Sequence, residues 1–323
     1  MSPKLTELLD LTVTGGPVAA PTAPAEQQPS ITYATSIDPA FTIGPKVHGG
    51  TMQMIIARAA SRAFDDLAPS SPDTALHAAD LVPVAIASDY LAAPDPAPVE
   101  VTATVRKRGR TVTLLHVDLA QNGLTMVSSS VTLARPDTGP SRHSSPHVLD
   151  DVAPTPAADA LRIADSPMAD VIHLGAALDT ALDTHSFPAA RGQTGDPVVR
   201  GWCRPKGAEP DADFAVLVCD ISPPVVMNLA VFGWAPTVQL TTYIRREPAP
   251  GWLRFAATSL EVGPGMFEED HLVVDSMGAV VAQSRQLALI PAGRVPKSSD
   301  TEDPTRQKTR PSRPVNEKGV PHQ

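Results

Sequence analysis

The chain has 323 residues, which is enough for two domains that each bury a core. Hydrophobic residues make up 42% of it and charged residues 19%, a balance that is typical of globular proteins and argues against a disordered chain. The net charge is −9 and the basic residues are dispersed, which argues against a nucleic-acid-binding surface, because such a surface needs clustered Lys and Arg.

The sequence contains no recognisable secretory signal or membrane segment. Its N-terminus lacks a basic stretch followed by a continuous apolar run, and no apolar run of about 18 residues or more occurs elsewhere. Only two cysteines are present, Cys203 and Cys219, so a disulfide framework is not expected. These features predict a cytoplasmic protein with no membrane span.

The first structured block is predicted at residues 31–136. Apolar residues recur at helical spacing over 51–67, which predicts an amphipathic helix. Strands are then predicted at 82–91, 99–107, 111–120 and 124–134. The last two are joined through Asn122-Gly123, and an Asn-Gly pair between apolar runs is a strong signal for a β-hairpin.

The second structured block is predicted at residues 197–292 and repeats this plan. Strands are predicted at 198–204, 213–221, 237–246, 252–260, 267–274 and 280–290. A short helix is predicted to begin at Ser222-Pro223 and to run through Phe232, because serine can cap a helix and proline suits its first turn.

The two blocks also match as sequences. When residues 105–136 are laid against 260–291 without a gap, His116 meets His271, Gly123 meets Gly278, Ser129 meets Ser284 and Pro136 meets Pro291. These identities coincide with a shared hairpin and a preceding helix. They predict an α+β duplication in which each antiparallel sheet buries its own helix.

Three segments are predicted to lie outside the blocks. Residues 1–30 end in a Pro-, Ala- and Gln-rich stretch and are predicted to be loosely ordered. Residues 137–196 begin as a Pro-, Ser- and Asp-rich stretch, which predicts an interdomain linker with a short helix near 171–182. Residues 293–323 carry mixed charge and almost no large apolar side chains, which predicts a disordered tail.

Four motifs follow one another along the two blocks: VHGGTMQ at 47–53, VCDISPPV at 218–225, PTVQLTTYIRR at 236–246 and VVAQSRQLALIP at 280–291. Together they resemble the acyl-CoA thioesterase II (TesB-like) family of double hot-dog proteins, over roughly residues 30–136 and 197–291. The resemblance implies two antiparallel sheets side by side, each wrapped around a central helix. It also implies that a fused pair suffices as a monomer, although such folds commonly assemble further into homo-oligomers.

The same resemblance implies the catalytic residues. Matched motif by motif, the family's aspartate, Ser/Thr and glutamine fall on Asp220, Thr237 and Gln286. In the family these side chains hold and polarise a water that attacks the thioester carbonyl, without a metal, a cofactor or a covalent acyl-enzyme. One departure is Gln239, where better-known members carry an acidic residue.

Each of the three residues also has an ordinary structural interpretation. Asp220 can cap a helix N-terminus, and a β-branched residue such as Thr237 is common in strands. Gln286 can face solvent on an edge strand. It is matched by Val131 in the first block, however, and burial of an amide without partners costs about 1–3 kcal/mol. A buried Gln286 therefore needs matched hydrogen-bond partners.

A substrate-binding role is predicted for residues at the N-terminus of the first helix, where free N–H groups can bind a thioester oxygen or a CoA phosphate: His48, Gly49, Gly50 and Thr51. The Gly-Gly pair alternatively forms only a tight entry turn. Arg108 belongs to a basic cluster that is a candidate for attracting the CoA phosphates, although exposed charge at the end of a hairpin explains it equally.

The sequence contains no metal-binding, nucleotide-binding or nicotinamide-binding motif and no serine-nucleophile elbow, so neither a metal nor a cofactor is expected. The predicted reaction is hydrolysis of acyl-CoA to a fatty acid and CoA. The alternative is a non-catalytic acyl-CoA or acyl-carrier binding protein on the same fold, for which Gln239 leaves room. A hot-dog enoyl-CoA hydratase ranks lowest, because it needs a paired Asp and His and no convincing pair lies on the predicted second helix.

Overall fold

The computed structural model describes residues 3–16, 28–68 and 80–291. The predicted tail at 293–323 lies outside these residues. Of the predicted lead-in at 1–30, only residues 1–2 and 17–27 lie outside them. Residues 3–16 form the helix Pro3–Leu9 and the strand Thr12–Gly15, with Leu5 and Leu8 buried, so the prediction of loose order is wrong there. The described part contains three α-helices, which are α1 (Pro3–Leu9), α2 (Gly49–Asp66) and α3 (Ala212–Val218). Helix α2 confirms the amphipathic helix predicted for the first block.

The strands of the described residues are β1 (Thr12–Gly15), β2 (Ser30–Ser36), β3 (Thr42–Ile43), β4 (Lys46–Val47), β5 (Val82–Tyr90), β6 (Pro98–Arg108), β7 (Val112–Gln121), β8 (Leu124–Ala134), β9 (Leu161–Arg162), β10 (Leu178–Leu182), β11 (Val198–Pro205), β12 (Thr237–Ile244), β13 (Leu253–Thr258), β14 (Met266–Val274) and β15 (Val280–Leu289). The nine that match a predicted strand do so to within two residues at each end. Asn122 and Gly123, between β7 and β8, have φ values of 53° and 77°, as a tight hairpin turn requires.

All but β3 and β4 belong to one antiparallel sheet, in the order β1-β2-β6-β7-β8-β5-β12-β15-β14-β13-β11-β10-β9. The two halves meet where β5 pairs with β12, from Gln239 opposite Asp89 to Tyr243 opposite Ala85. The prediction of two sheets side by side is therefore corrected to one continuous sheet. The pairing has a simple cause: each of these strands would otherwise leave a row of backbone N–H and C=O groups without partners.

Helix α2 lies on the first-half strands and is buried along most of its length. Its small residues Ala57, Ala59, Ala60 and Ala63 are fully buried, which lets the helix axis approach the sheet closely. Gln53 is also fully buried and spans the junction of the halves. Its Nε2 donates to Ser88 Oγ at 3.0 Å and to the Leu240 carbonyl at 3.2 Å, while its Oε1 accepts from Thr242 Oγ1 at 2.7 Å.

The apolar segment predicted as a strand at 213–221 is instead helix α3, so this prediction is wrong. Every residue of α3 is buried, and a segment that is apolar on all sides has no period that separates a buried helix from a buried strand. Asp211 is the N-cap of this helix and accepts from the backbone N–H of Phe214 at 2.8 Å. Aspartate is a favoured N-cap residue, so the sequence did contain a signal for the start of a helix. Arg58 of α2 and Asp213 of α3 form an ion pair at 2.9 Å that ties the helices together.

Two further helix predictions are corrected. The helix expected from Ser222 is a short 3-10 turn at Val225–Leu229. The helix expected near 171–182 is a 3-10 turn at His173–Ala176 followed by β10, which pairs with β11. The predicted linker thus contributes β9 and β10 to the sheet, while the division of the chain into domains stays a prediction.

Candidate active site

A cavity of about 1020 Å³ lies between the N-terminus of α2, the loop after α3, the start of β12 and the end of β15. Its walls are mostly apolar and come from both halves and from the segment between them: Ile43, Val47, Met52, Leu91, Met168, Val171, Ile172, Ile221, Met227, Trp234 and Leu289. Asp220, Thr237 and Gln286 line the same cavity. An apolar pocket of this size with a few convergent polar groups is a strong candidate for an active site.

Thr237 reaches the cavity because β12 carries a bulge. Thr237 lies opposite Ala288, whereas Gln239 lies opposite Leu287, so Val238 is an extra residue in the strand. Directly opposed residues share a face of the sheet, and Ala288 faces inward. The bulge therefore turns Thr237 to the inner face and leaves Gln239 on the outer one. Gln239 donates to Asp89 at 2.9 Å, outside the cavity.

Gln286 is buried in the middle of the sheet, with β15 lying between β12 and β14. Its Oε1 accepts from Thr237 Oγ1 at 2.8 Å, and its Nε2 donates to Glu269 Oε1 at 3.3 Å. The solvent-facing interpretation of Gln286 is wrong. Both ends of the amide have the partners that a buried position requires.

Asp220 follows α3 and lies at the N-terminus of α2. Its Oδ2 accepts from the Gly50 N–H at 2.7 Å and lies 3.6 Å from His48 Nε2. Its expected place at the start of a second-half helix is thus corrected: the carboxylate meets the positive end of the first-half helix. Burial raises the pKa of Asp220, while His48 and the Gly50 N–H act in the opposite direction.

The two glycines at the start of α2 make this approach sterically possible. A Cβ on Gly49 would lie 2.6 Å from Asp220 Oδ2, and one on Gly50 would lie 2.6 Å from the Leu217 carbonyl oxygen. Real Cβ atoms essentially never come this close to another heavy atom. The Gly-Gly pair is therefore more than an entry turn: it admits the carboxylate and the end of α3.

His48 caps α2 and orients the loop that carries Asp220. Its Nδ1 accepts from the Thr51 N–H at 3.2 Å, so Nε2 carries the hydrogen and donates to the backbone oxygen of Asp220 at 2.7 Å. His48 and Gly49 line the cavity, whereas Gly50 and Thr51 are not among its lining residues, so their predicted substrate-binding role stays a prediction. Both nitrogens of His48 are thus engaged, which fits an orienting residue rather than a base.

Arg108 has contacts of its own away from the cavity. Its guanidinium donates to the Phe64 carbonyl at 2.8 Å and stacks over the Phe64 ring at 4.2 Å from the ring centre. It is not among the residues that line the cavity. Its predicted substrate-binding role stays a prediction, without support from its position.

A buried acidic residue next to Gln286 was missed at the level of sequence. Glu269, on β14, is 1% exposed and lines the cavity. It takes an inward position between Phe267 and His271, both of which also face inward. The alternation of this strand therefore contained the signal: an acidic side chain at an inward position of a central strand needs a reason.

Two features are absent from the described residues. No group of three or more His, Cys, Asp and Glu side chains there is arranged to hold a metal ion. No helix of that part of the chain is both long enough and apolar enough to span a membrane.

Comparison with known proteins agrees with this geometry. Residues 37–134 match the family model of the acyl-CoA thioesterase N-terminal domain, and residues 149–290 match that of the acyl-CoA thioesterase C-terminal domain. An uncharacterised protein of Mycobacterium tuberculosis is 39% identical over 267 residues, which cover 78% of this chain and 88% of that protein.

Solved structures give the same result. A structure described as a thioesterase II from Thermobifida fusca is 28% identical, covers 91% of this chain and 98% of its own, and superposes with a TM-score of 0.71. A hot-dog protein of unknown function from Alicyclobacillus acidocaldarius is 17% identical, covers 91% and 100%, and has a TM-score of 0.65, which supports the fold alone. The chain therefore has the hot-dog fold and belongs to the acyl-CoA thioesterase family, in its thioesterase II (TesB-like) group.

Proposed function

We propose that the chain hydrolyses acyl-CoA thioesters to a free fatty acid and CoA, with a water held by Asp220, Thr237 and Gln286. The observation that carries the proposal is their convergence: three polar side chains, distant in sequence, line one apolar cavity, and Thr237 bonds directly to Gln286. The apolar walls suit an acyl chain, since each buried methylene contributes about 0.8 kcal/mol.

Asp220 is the general base in this proposal. Its Oδ2 is bound by the Gly50 N–H, which leaves Oδ1 to accept a hydrogen bond from water. Burial raises the pKa of the carboxyl, and this brings its basicity closer to that needed near neutral pH. The water oxygen attacks the thioester carbonyl and its proton passes to Asp220. Collapse of the tetrahedral intermediate then breaks the C–S bond, and the departing thiolate takes up that proton.

Thr237 and Gln286 complete the water site. Because the Thr237 hydroxyl donates to Gln286 Oε1, its oxygen remains free to accept from water. The second hydrogen on Gln286 Nε2 can donate to the water oxygen. Together with Asp220 Oδ1 these groups orient a lone pair of the water toward the carbonyl carbon, which is the positioning that an attacking water needs.

The thioester carbonyl oxygen becomes negatively charged in the tetrahedral intermediate. In this proposal the N-terminus of α2 binds that oxyanion. The N–H groups of Gly50, Thr51 and Met52 bond to Asp220, His48 Nδ1 and the His48 carbonyl. The Gly49 N–H takes part in none of the hydrogen bonds seen among the described residues, and Gly49 lines the cavity. A donor at a helix N-terminus stabilises developing negative charge, typically by a few kcal/mol.

The test measures CoA release from acyl-CoAs of graded length with a thiol reagent. D220N keeps the shape of the side chain and its contact with Gly50 but cannot take a proton, so kcat falls by at least about a hundredfold. D118N, on strand β7 and outside the cavity, is the matched control and keeps wild-type activity.

Binding of a non-hydrolysable thioether analogue separates hydrolysis from the binding-protein alternative. Hydrolysis predicts that D220N binds the analogue like wild type but does not turn over the thioester. A wild-type protein that binds the analogue and releases CoA no faster than D220N contradicts the proposal and supports the binding function instead.

A further inference from the structure

Glu269 is a second buried carboxylate on the cavity that holds Asp220. Its Oε1 accepts from Ser222 Oγ at 2.9 Å and from Gln286 Nε2 at 3.3 Å. Its Oε2 accepts from the Val225 N–H at 3.0 Å. Glu269 is thus the common acceptor of three donors.

The donors on one side of Glu269 form a directed chain. Ser222 Oγ also lies 2.9 Å from His271 Nε2. Because the Ser222 hydrogen goes to Glu269, the serine oxygen accepts from His271 Nε2–H. Nδ1 of that ring, the atom then left without a hydrogen, has no hydrogen-bond partner among the described residues. Burial lowers the pKa of His271 to about 3, so the ring is neutral.

On the other side, Glu269 selects the orientation of the Gln286 amide. The two ends of a glutamine amide have almost the same shape but opposite hydrogen-bonding character. Thr237 has a hydroxyl that can donate or accept, so it does not fix the amide by itself. The Glu269 carboxylate can only accept, and it therefore requires Nε2 on its own side and Oε1 toward Thr237.

We propose that Glu269 is a positioning residue for thioester hydrolysis: its carboxylate fixes the Gln286 amide and thereby sets the donors and acceptors that Thr237 and Gln286 present to the attacking water. This inference rests on the function proposed above and adds a residue that acts through Gln286 rather than on the substrate. When Glu269 loses its negative charge, the Gln286 amide is free to rotate and exchange the positions of its oxygen and nitrogen.

The charge state of Glu269 gives the inference a pH signature. Burial raises the pKa of Glu269 to about 7, and the charge of Asp220 acts in the same direction, whereas Val225, Ser222 and Gln286 oppose it. His271, 3.5 Å away, is neutral. A protonated Glu269 is a donor and no longer fixes Gln286. Activity therefore declines as the pH falls through about 7.

The decisive variant is E269Q, which keeps the size of the side chain and removes its charge. The Val225 N–H is a backbone donor and cannot invert, so the new amide oxygen must face it and the new NH2 group must face Gln286. The Gln286 amide then rotates, so that its oxygen faces residue 269 and its NH2 group faces Thr237. We expect kcat to fall by about 10- to 100-fold, KM to stay within about twofold, and Tm to be unchanged or higher, because a buried charge is gone.

E269D and E268Q make the result specific. E269D keeps a carboxylate but packs less well, and it retains more activity than E269Q. A purely structural role predicts the reverse order, because the isosteric amide fills the space better. E268Q changes the preceding glutamate, which is partly exposed and lies outside the cavity, and it leaves kcat unchanged.

The orientation of Gln286 is read independently of activity from its side-chain amide signal in 15N-glutamine-labelled protein, assigned with Q286A. In wild type this signal shifts with pH around 7, and in E269Q the shift disappears. A Gln286 signal that titrates equally in E269Q, or a kcat of E269Q equal to that of E268Q, overturns the role of Glu269. Equal CoA release by wild type and D220N instead overturns hydrolysis, while the Gln286 signal still decides whether Glu269 orients the amide.

Discussion

The two glycines at the start of α2 determine how closely Asp220 approaches the helix N-terminus. In most helices an alanine is about 1 kcal/mol more favourable than a glycine. At Gly50 that preference is overridden, because a Cβ would also lie 2.9 Å from His48 Cε1 and 3.0 Å from Asp220 Cβ. The absence of a side chain here is therefore a requirement of the close approach of Asp220 and α3 rather than of the helix.

G50A is expected to move Asp220 and to reduce kcat by at least about tenfold, because small displacements of a catalytic group are costly. It also lowers the free energy of unfolding by about 1–3 kcal/mol through overpacking. Kinetics of CoA release and thermal denaturation measure the two effects. G265A is the control, since a Cβ there meets nothing within 4 Å. A G50A variant as active as G265A would mean that the contact with Asp220 is dispensable.

Among individual residues, the four sequence motifs contain the three side chains that are proposed to hold the attacking water. The sequence led to Asp220, Thr237 and Gln286 through their motifs, and the structure places all three on one cavity. It did not lead to Glu269, because no motif contains it and its role depends on Gln286, which lies opposite it on the neighbouring strand β15. It also favoured Arg108, whose actual partner is Phe64. Side-chain partners across a sheet depend on register, which composition and spacing do not reveal.

Single elements show where periodicity is informative and where it is not. The strands on either side of the hairpin turns alternate in burial, and they were predicted to within two residues. Helix α3 is buried on every side and was mistaken for a strand. The bulge at Val238 left no trace in the sequence pattern, yet it decides which face Thr237 occupies. Local patterns thus predict elements that have one exposed face, whereas at α3 they did not distinguish a buried helix from a buried strand.

The segment between the halves forms one wall of the cavity, and this wall gives a prediction about the length of the acyl chain that the protein prefers. Ile172, Ile221 and Pro223 line both the main cavity and a small apolar pocket formed with Leu174, Leu178 and Leu182. Ile172, Ile221 and Pro223 separate the two spaces. I172A removes part of this partition and joins the small pocket to the main cavity. We expect the ratio of kcat/KM for longer over shorter acyl chains to rise by about tenfold, since one methylene in an apolar pocket is worth about 1–3 kcal/mol.

Acyl-CoAs of graded length measure this ratio. M168A is the control, because Met168 lines the main cavity but not the small pocket. It enlarges the cavity without opening the partition and leaves the longest accepted chain unchanged. The same shift in both variants would show that Ile172 has no special place in chain selection.

At the scale of the whole molecule, the junction between β5 and β12 joins the two halves. Gln53 lies over this junction and bonds to both strands. The motif VHGGTMQ contained this residue, but only the paired strands show what its amide contacts. The sequence predicted the duplication, whereas the edge-to-edge joining of the halves depends on long-range pairing that a repeat does not specify.

Q53L is expected to lower the free energy of unfolding by about 1–3 kcal/mol, because it leaves the buried Thr242 hydroxyl without its acceptor and removes the side-chain donor to the Leu240 carbonyl. Chemical denaturation at a fixed pH measures the change. Q283L, at an outward-facing position of β15, is the control and changes stability by no more than about 0.5 kcal/mol. A Q53L protein as stable as Q283L would show that this network contributes nothing to the junction.

The shared sheet has a consequence for how the protein behaves on dilution. The cavity takes His48 and Gly49 from one half and Asp220, Thr237 and Gln286 from the other. In a single polypeptide the pairing of the two halves is an intramolecular event, so it does not require two molecules to meet. Assembly of the candidate site from the two halves is therefore expected to be independent of how much protein is present, even at trace abundance.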